Sequence, residues 1–210
     1  MIEKRVLLFD LGKVLIDFDH TIAVKRIKPH CDLDVESIYD LFFDSDLTDR
    51  FEKGIVSSLD FFQEVKKMLN AKVAYEEFLL IWNEIFFPHP GMLEILEALK
   101  DKYSLYLVSN INEPHFKYLK ERFKEYFRHF NHLFLSYELG LRKPDLRIYK
   151  LIIDYLKLPP QNIIYTDDRI ELVEAAKRLN IDAFLFESTD SLKEAFSQRN
   201  IRLDIVLSRK

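Results

Sequence analysis

Short apolar runs that stop at a polar residue recur along this chain, with helical spacing between them. Residues 5–10 read Arg-Val-Leu-Leu-Phe-Asp, and similar runs fall at 104–109, around 134–136, at 162–167 and at 182–186. Unbroken runs of this length fit strands buried on both faces of a parallel sheet. Between them, apolar residues recur three and four apart: Ile95, Leu96 and Leu99 in 92–99; Ile148, Ile152 and Leu156 in 144–156; Leu172, Val173, Ala176 and Leu179 in 170–179. Alternating strands and helices predict an α/β fold, a doubly wound Rossmann-like parallel sheet with helices on both faces.

Residues 15–87 break the rhythm. No strand is evident there, and amphipathic helical segments are expected at 35–43, 59–69 and 75–85. A helical block between the first two strands predicts an inserted cap subdomain at 15–87 and a core domain of 1–14 plus 88–210. Pro88-His89-Pro90-Gly91 marks the return to the core. The end of the chain after Asn200 reads equally as an edge strand near 203–207 or as a loose tail.

Composition narrows the function classes. An apolar share of 48% in 210 residues suffices for a core without covalent staples. A net charge of −4, with no basic stripe, argues against nucleic acid as partner. The one cysteine, Cys31, precludes an internal disulfide and is read as a bystander. No signal-peptide pattern and no membrane-length apolar stretch are seen, so no membrane partner is expected and the cytoplasm is the default location. The oligomeric state, monomer or homodimer, stays open.

In an open parallel sheet, ligands bind beyond the carboxyl ends of the strands. Those ends carry Asp10, Ser109-Asn110, Arg142-Lys143-Pro144 and Asp167-Asp168. A carboxylate such as Asp10 can attack phosphorus in line. Two anions then need a countercation, and Mg2+ held by Asp10 and Asp167 would serve. Lys143 can neutralise phosphoryl oxygens and Ser109 can donate a hydrogen bond. Taken singly, each is also an ordinary turn residue, helix cap or surface charge. Their joint occurrence at successive strand ends favours the chemical reading.

Phe9-Asp10-Leu11-Gly12-Lys13-Val14, Leu107-Val108-Ser109-Asn110, Arg142-Lys143-Pro144-Asp145 and Ile164-Tyr165-Thr166-Asp167-Asp168 with Glu171 together resemble the four motifs of the haloacid dehalogenase superfamily. The resemblance implies Asp10 as nucleophile and metal ligand, with the Gly12 carbonyl and Asp167 as further ligands. It implies Ser109 and Lys143 on the transferring group, helped by backbone N–H groups near Leu11 and Asn110. Asp168 would support the metal waters or Lys143, with Glu171 a further candidate just behind the ligands. The substrate would be a small-molecule phosphate ester chosen by the cap, with Lys53, Trp82 and Asn83 as candidate contacts beside Glu52. Trp82 also fits an apolar stripe with Phe78 and Ile85, Lys53 also reads as a solvated charge, and Asn112 and His115 also read as caps of the next helix.

One position departs from the pattern. Most phosphatases of this superfamily carry a second Asp two residues after the nucleophile, as general acid; here it is Gly12. Such an acid is typically worth ~10²–10⁴-fold. Either activity is weak, or Asp17, Asp19 or His20 substitutes, or the leaving group needs little protonation. The last case suits a sugar phosphate such as a hexose 1-phosphate, and the first motif, Glu52-Lys53-Gly54 and Ser109-Asn110-Ile111-Asn112 resemble the glucose-1-phosphate phosphatase branch. Rival readings are a 2-haloacid dehalogenase, a catalytically weak binding or regulatory protein, and a phosphomutase, the last disfavoured by the missing acid.

Overall fold

The structure, a computed structural model, describes residues 5–43 and 45–203. Among the described residues seven strands are present: β1 (Val6–Phe9), β2 (Ile16–Phe18), β3 (Phe86–Pro88), β4 (Ser104–Ser109), β5 (His132–Leu135), β6 (Ile163–Asp167) and β7 (Asp182–Leu185). Five of them form one parallel sheet in the order β5-β4-β1-β6-β7. β1 lies at the centre, so the chain winds outward to either side of it. Asp10 therefore leaves the sheet where the strand order reverses, the place at which such sheets bind ligands.

Period-two alternation explains why β1 is apolar throughout. Leu7 and Phe9 enter the hydrophobic cluster on one face of the sheet, while Val6 and Leu8 enter the cluster on the other. The helices that cover the sheet include α6 (Met92–Leu99), α7 (Glu113–Arg122), α8 (Leu146–Leu156), α9 (Ile170–Lys177) and α10 (Thr189–Gln198), numbered after five that precede them. These five are α1 (His20–Ile27), α2 (Val35–Phe43), α3 (Asp46–Glu52), α4 (Ser58–Met68) and α5 (Tyr75–Asn83). They lie between β2 and β3 and bury an apolar cluster of their own around Phe42, Phe61, Phe78 and Trp82. Cys31 is a half-buried free thiol packed against that cluster.

The expectation that 15–87 holds no strand is corrected. β2 and β3 pair antiparallel, Ile16 with Pro88, Asp17 with Phe87 and Phe18 with Phe86. Three-residue strands are too short for alternation to register in a sequence, and their partners lie far apart along the chain. The ribbon forms because both ends of the helical block must leave the core side by side. Of the segment near 203–207 only residue 203 is described; the rest lies outside the described residues. No helix among the described residues is long and apolar enough to cross a membrane.

Because Leu8 is fully buried in the central strand, Leu8→Ala leaves a cavity flanked by strands on both sides. It should cost about 2–5 kcal/mol of unfolding free energy, read as a lowered urea midpoint at unchanged slope.

Candidate active site

Asp10 follows β1, Ser109 ends β4, Lys143 lies in the loop before α8, and Asp167 ends β6. The fold brings all four to one end of the sheet. The Lys143 ammonium sits 2.6 Å from Asp10 Oδ1 and 2.6 Å from Asp167 Oδ2, with all three side chains nearly or wholly buried. Asp10 Oδ2 takes no hydrogen bond among the described residues and remains free. Burial raises the Asp10 carboxyl to about 7, Lys143 opposing and Asp167 adding to the shift. Burial works against the Lys143 charge, but Asp10 and Asp167 outweigh it and raise its pKa, so the ammonium persists.

The loop after β1 turns back tightly. The amides of Leu15 and Ile16 both donate to the Leu11 carbonyl, and Lys13 adopts a left-handed φ of 59°. Asn110 pins the Lys143 loop: its amide group donates to the Lys143 carbonyl at 2.8 Å, and its side-chain oxygen accepts from the Lys143 N–H at 2.8 Å. That explains how a residue far along the sequence is held between the ends of β1 and β6.

Oxygens of Asp10, Asp167 and Asp168 lie within 4.8 Å of one another. Three carboxylates thus face one ammonium. The nearby guanidiniums do not correct the imbalance, because Arg169 pairs with Glu171 and Arg142 pairs with Asp49 and Glu52. Hard oxygen donors with excess negative charge fit a small divalent cation such as magnesium. Asp168 is half-buried, and burial together with Asp167 raises its pKa.

Above this cluster is a cavity of about 210 Å³ between the sheet end and the helical block. Asp10, Leu11, Gly12, Ser109, Asn110 and Lys143 contribute to its wall, as do Asp168 and Trp82. Lys53 is not on the wall; its ammonium is 2.5 Å from Asp49, and that one-turn pairing on α3 turns it aside. Asn83 is not on the wall either, since it closes α5 with its side-chain oxygen buried and unpartnered. Glu171 is half exposed on its ion pair with Arg169. Asn112 caps α7 by accepting the His115 N–H, and both residues also border the cavity.

A model of the haloacid dehalogenase-like hydrolase family matches residues 4–180. The chain belongs to that family. Among curated relatives of this hydrolase, D-ribitol-5-phosphate phosphatase of Bacteroides thetaiotaomicron is 24% identical over 188 residues, covering 85% of this chain and 89% of its own. A sesquiterpene phosphatase of Aspergillus oryzae is 26% identical over 200 residues, covering 92% and 94%. A family enzyme from Bacteroides thetaiotaomicron, solved with magnesium and inorganic phosphate, superposes with a TM-score of 0.78 at 24% identity, covering 89% of this chain and 96% of its own. An L-2-haloacid dehalogenase superposes at 0.63 and 17% identity, covering 87% and 86%. These likenesses establish the shared fold.

Two contributors to the site of this hydrolase escape sequence reasoning. The Tyr165 hydroxyl donates to Asp167 and lies 3.1 Å from the Lys143 ammonium. Its position two residues before Asp167 on β6, on the same strand face, was the available signal. The second is Phe18. A Cβ built on Gly12 would meet Phe18 Cε1 at 2.8 Å, so the ring fills the space beside the nucleophile where a side chain at position 12 would stand. Of the three substitutes considered for the missing acid, Asp17 is engaged by Lys13 and by the Phe18 N–H, and Asp19 caps α1. His20 alone borders the cavity.

Gly12→Ala should cost about 1–3 kcal/mol through this overpacking. Combining it with Phe18→Ala should relieve the clash, giving a coupling of at least about 0.5 kcal/mol in a double-mutant cycle of unfolding free energies.

Proposed function

We propose that this hydrolase is a magnesium-dependent phosphatase of small phosphate monoesters. The observation that carries the reading is the group at the sheet end: a carboxylate with one free oxygen, a buried ammonium beside it, and two further carboxylates within reach of a shared cation. Asp10 Oδ2 attacks phosphorus, the bond to the ester oxygen breaks with its electron pair on the leaving group, and an aspartyl phosphate forms. Water then cleaves the acyl phosphate and restores Asp10. Lys143 and Ser109 bind phosphoryl oxygens, and Tyr165 holds Asp167 in place. Asp10, Asp167 and the Gly12 carbonyl would hold magnesium, which would supply the positive charge that lets a carboxylate approach a phosphate dianion.

The helical block acts as a cap over the cavity and selects the leaving group. The names of the relatives, a pentitol phosphate phosphatase and a sesquiterpene phosphatase, span polar and apolar alcohols. A sugar phosphate such as a hexose 1-phosphate is the polar candidate suggested by the first motif. The dehalogenase reading is less well supported, because release of halide by a carboxylate needs neither a cation nor the clustered acids Asp167 and Asp168.

Hydrolysis of p-nitrophenyl phosphate should require magnesium, stop on chelation and resume on readdition. Asp10→Asn should lower kcat by at least roughly 10³-fold. Chloride release from 2-chloropropionate without magnesium would instead favour the dehalogenase. Activity and metal binding equally absent from wild type and variant would favour a binding protein.

A further inference from the structure

Rings make up much of the cavity wall away from the carboxylates. Phe18, His20, Phe43, Trp82, Phe86 and His115 all border it. Five of them form a continuous stack. Phe18 lies on His20 with centroids 4.6 Å apart, His20 on Phe43 at 3.6 Å, Phe43 on Trp82 at 5.3 Å, and Trp82 on His115 at 4.9 Å. Rings stacked face to face have their edges left for other contacts. A ring edge is the positive end of the aromatic quadrupole and packs well against the face of another aromatic ring.

Most polar groups on this wall are spent on each other; Glu52 Oε2 and Arg142 Nε have no hydrogen-bond partner among the described residues but are buried out of contact with solvent. Asn112 accepts from the His115 N–H at 3.0 Å and from the Trp82 indole at 3.4 Å, and its amide nitrogen meets His115 Nδ1 at 3.1 Å. His115 Nε2 is bonded to the Trp82 carbonyl at 2.9 Å, and Thr48 donates to the Phe42 carbonyl at 2.8 Å. Arg142 is held by Asp49 and Glu52. Only His20, among the described residues of this wall, keeps ring nitrogens without a hydrogen-bond partner. Burial of its ring lowers its pKa to about 4, so at neutral pH it is an uncharged imidazole. One such contact does not satisfy the hydroxyls of a sugar, each of which loses water on entry.

A second observation bears on the leaving group from the other side of the cavity. With Phe18 in the space beside Gly12, no carboxyl stands two residues after Asp10 to protonate the departing oxygen. An ester whose oxygen leaves readily as an anion has the advantage. A phenol ionises near a pH of about 10, as tyrosine does, far below an ordinary alcohol.

Resting on the phosphatase reading above, we infer that the preferred substrates are aryl phosphates: monoesters whose leaving group is a compact aromatic hydroxyl seated against the edges of the Phe18–His20–Phe43–Trp82 stack. Asp10 takes the phosphoryl group, the phosphorus–oxygen bond breaks with its electron pair on the phenolate oxygen, and the phenolate departs without needing a protein proton. Hydrolysis of the aspartyl phosphate by water completes the turnover.

Three esters built on a six-membered ring separate the two requirements. Phenyl phosphate is apolar with a good leaving group, cyclohexyl phosphate is apolar with a poor one, and hexose 1-phosphate is polar with an intermediate one. With magnesium and the full chain, kcat/KM for phenyl phosphate should exceed that of each other ester by at least about tenfold. Phe43→Ala, and independently Phe86→Ala, should lower the phenyl-to-hexose ratio of kcat/KM by about fivefold. A hexose 1-phosphate as good as or better than phenyl phosphate would overturn the inference and leave the phosphatase reading standing. Cyclohexyl phosphate cleaved as fast as phenyl phosphate, or a ratio unmoved in both variants, would likewise overturn it. No hydrolysis of any of the three would remove the phosphatase reading itself.

Discussion

A buried ammonium bridging two carboxylates organises this molecule. Lys143 joins the end of β1 to the end of β6 through Asp10 and Asp167, and Tyr165 touches both the ammonium and Asp167. Removing one partner from such a group leaves an uncompensated charge in a low dielectric, which is far more costly than the pair is favourable. The local geometry is therefore strongly fixed. Asn110, by clasping the backbone of Lys143 on both sides, transfers that fixity to the end of β4. Three neighbouring strands thus present their polar ends as one preorganised surface, and charge already in place is the form of stabilisation on which phosphoryl transfer depends most.

A second set of polar contacts ties the helical block to that surface. Arg142, next to Lys143, pairs with Asp49 and Glu52 on α3 at 2.8 Å each. The Ser136 hydroxyl, at the end of β5, donates to the Glu52 carbonyl at 2.6 Å and accepts the Ile111 N–H. Gly54, at a φ of 66°, lies directly on the Tyr137 carbonyl, where any side chain would collide. The segment around Glu52 is thus the place where α3 rests on the sheet. Glu52 itself has its pKa raised by burial, with Arg142 working against that shift.

How much of this could be read from the chain alone depended on the range of the interaction. The five sheet strands announce themselves because two-sided burial imposes unbroken apolar runs, and a polar residue must follow wherever such a run reaches the surface. Asp10, Ser109 and Asp167 are legible for that reason, and Lys143 through its place beside Pro144. Ion pairing within one helical turn, which turned Lys53 toward Asp49, needs atomic placement to be chosen over a ligand role. Trp82 packs in the core of the helical block as its apolar stripe implies, and it also borders the cavity, since a residue can do both at once. The close approach of Phe18 to Gly12 could not be read at all. It depends on β2 pairing with β3, two three-residue strands almost seventy positions apart along the chain by their numbering, with no local pattern of their own.

That ribbon has a further consequence. Because β2 and β3 run side by side, the chain departs for the helical block and comes home through a single doorway, Phe18 facing Phe86. The whole excursion enters and leaves through one paired stem, and the contacts of α3 around Glu52 hold its far side against the sheet. The stem also asks nothing of what lies beyond it except that both ends meet there. An insert of different shape or size could be spliced on at the same two residues, provided it also met Arg142 as Asp49 and Glu52 do.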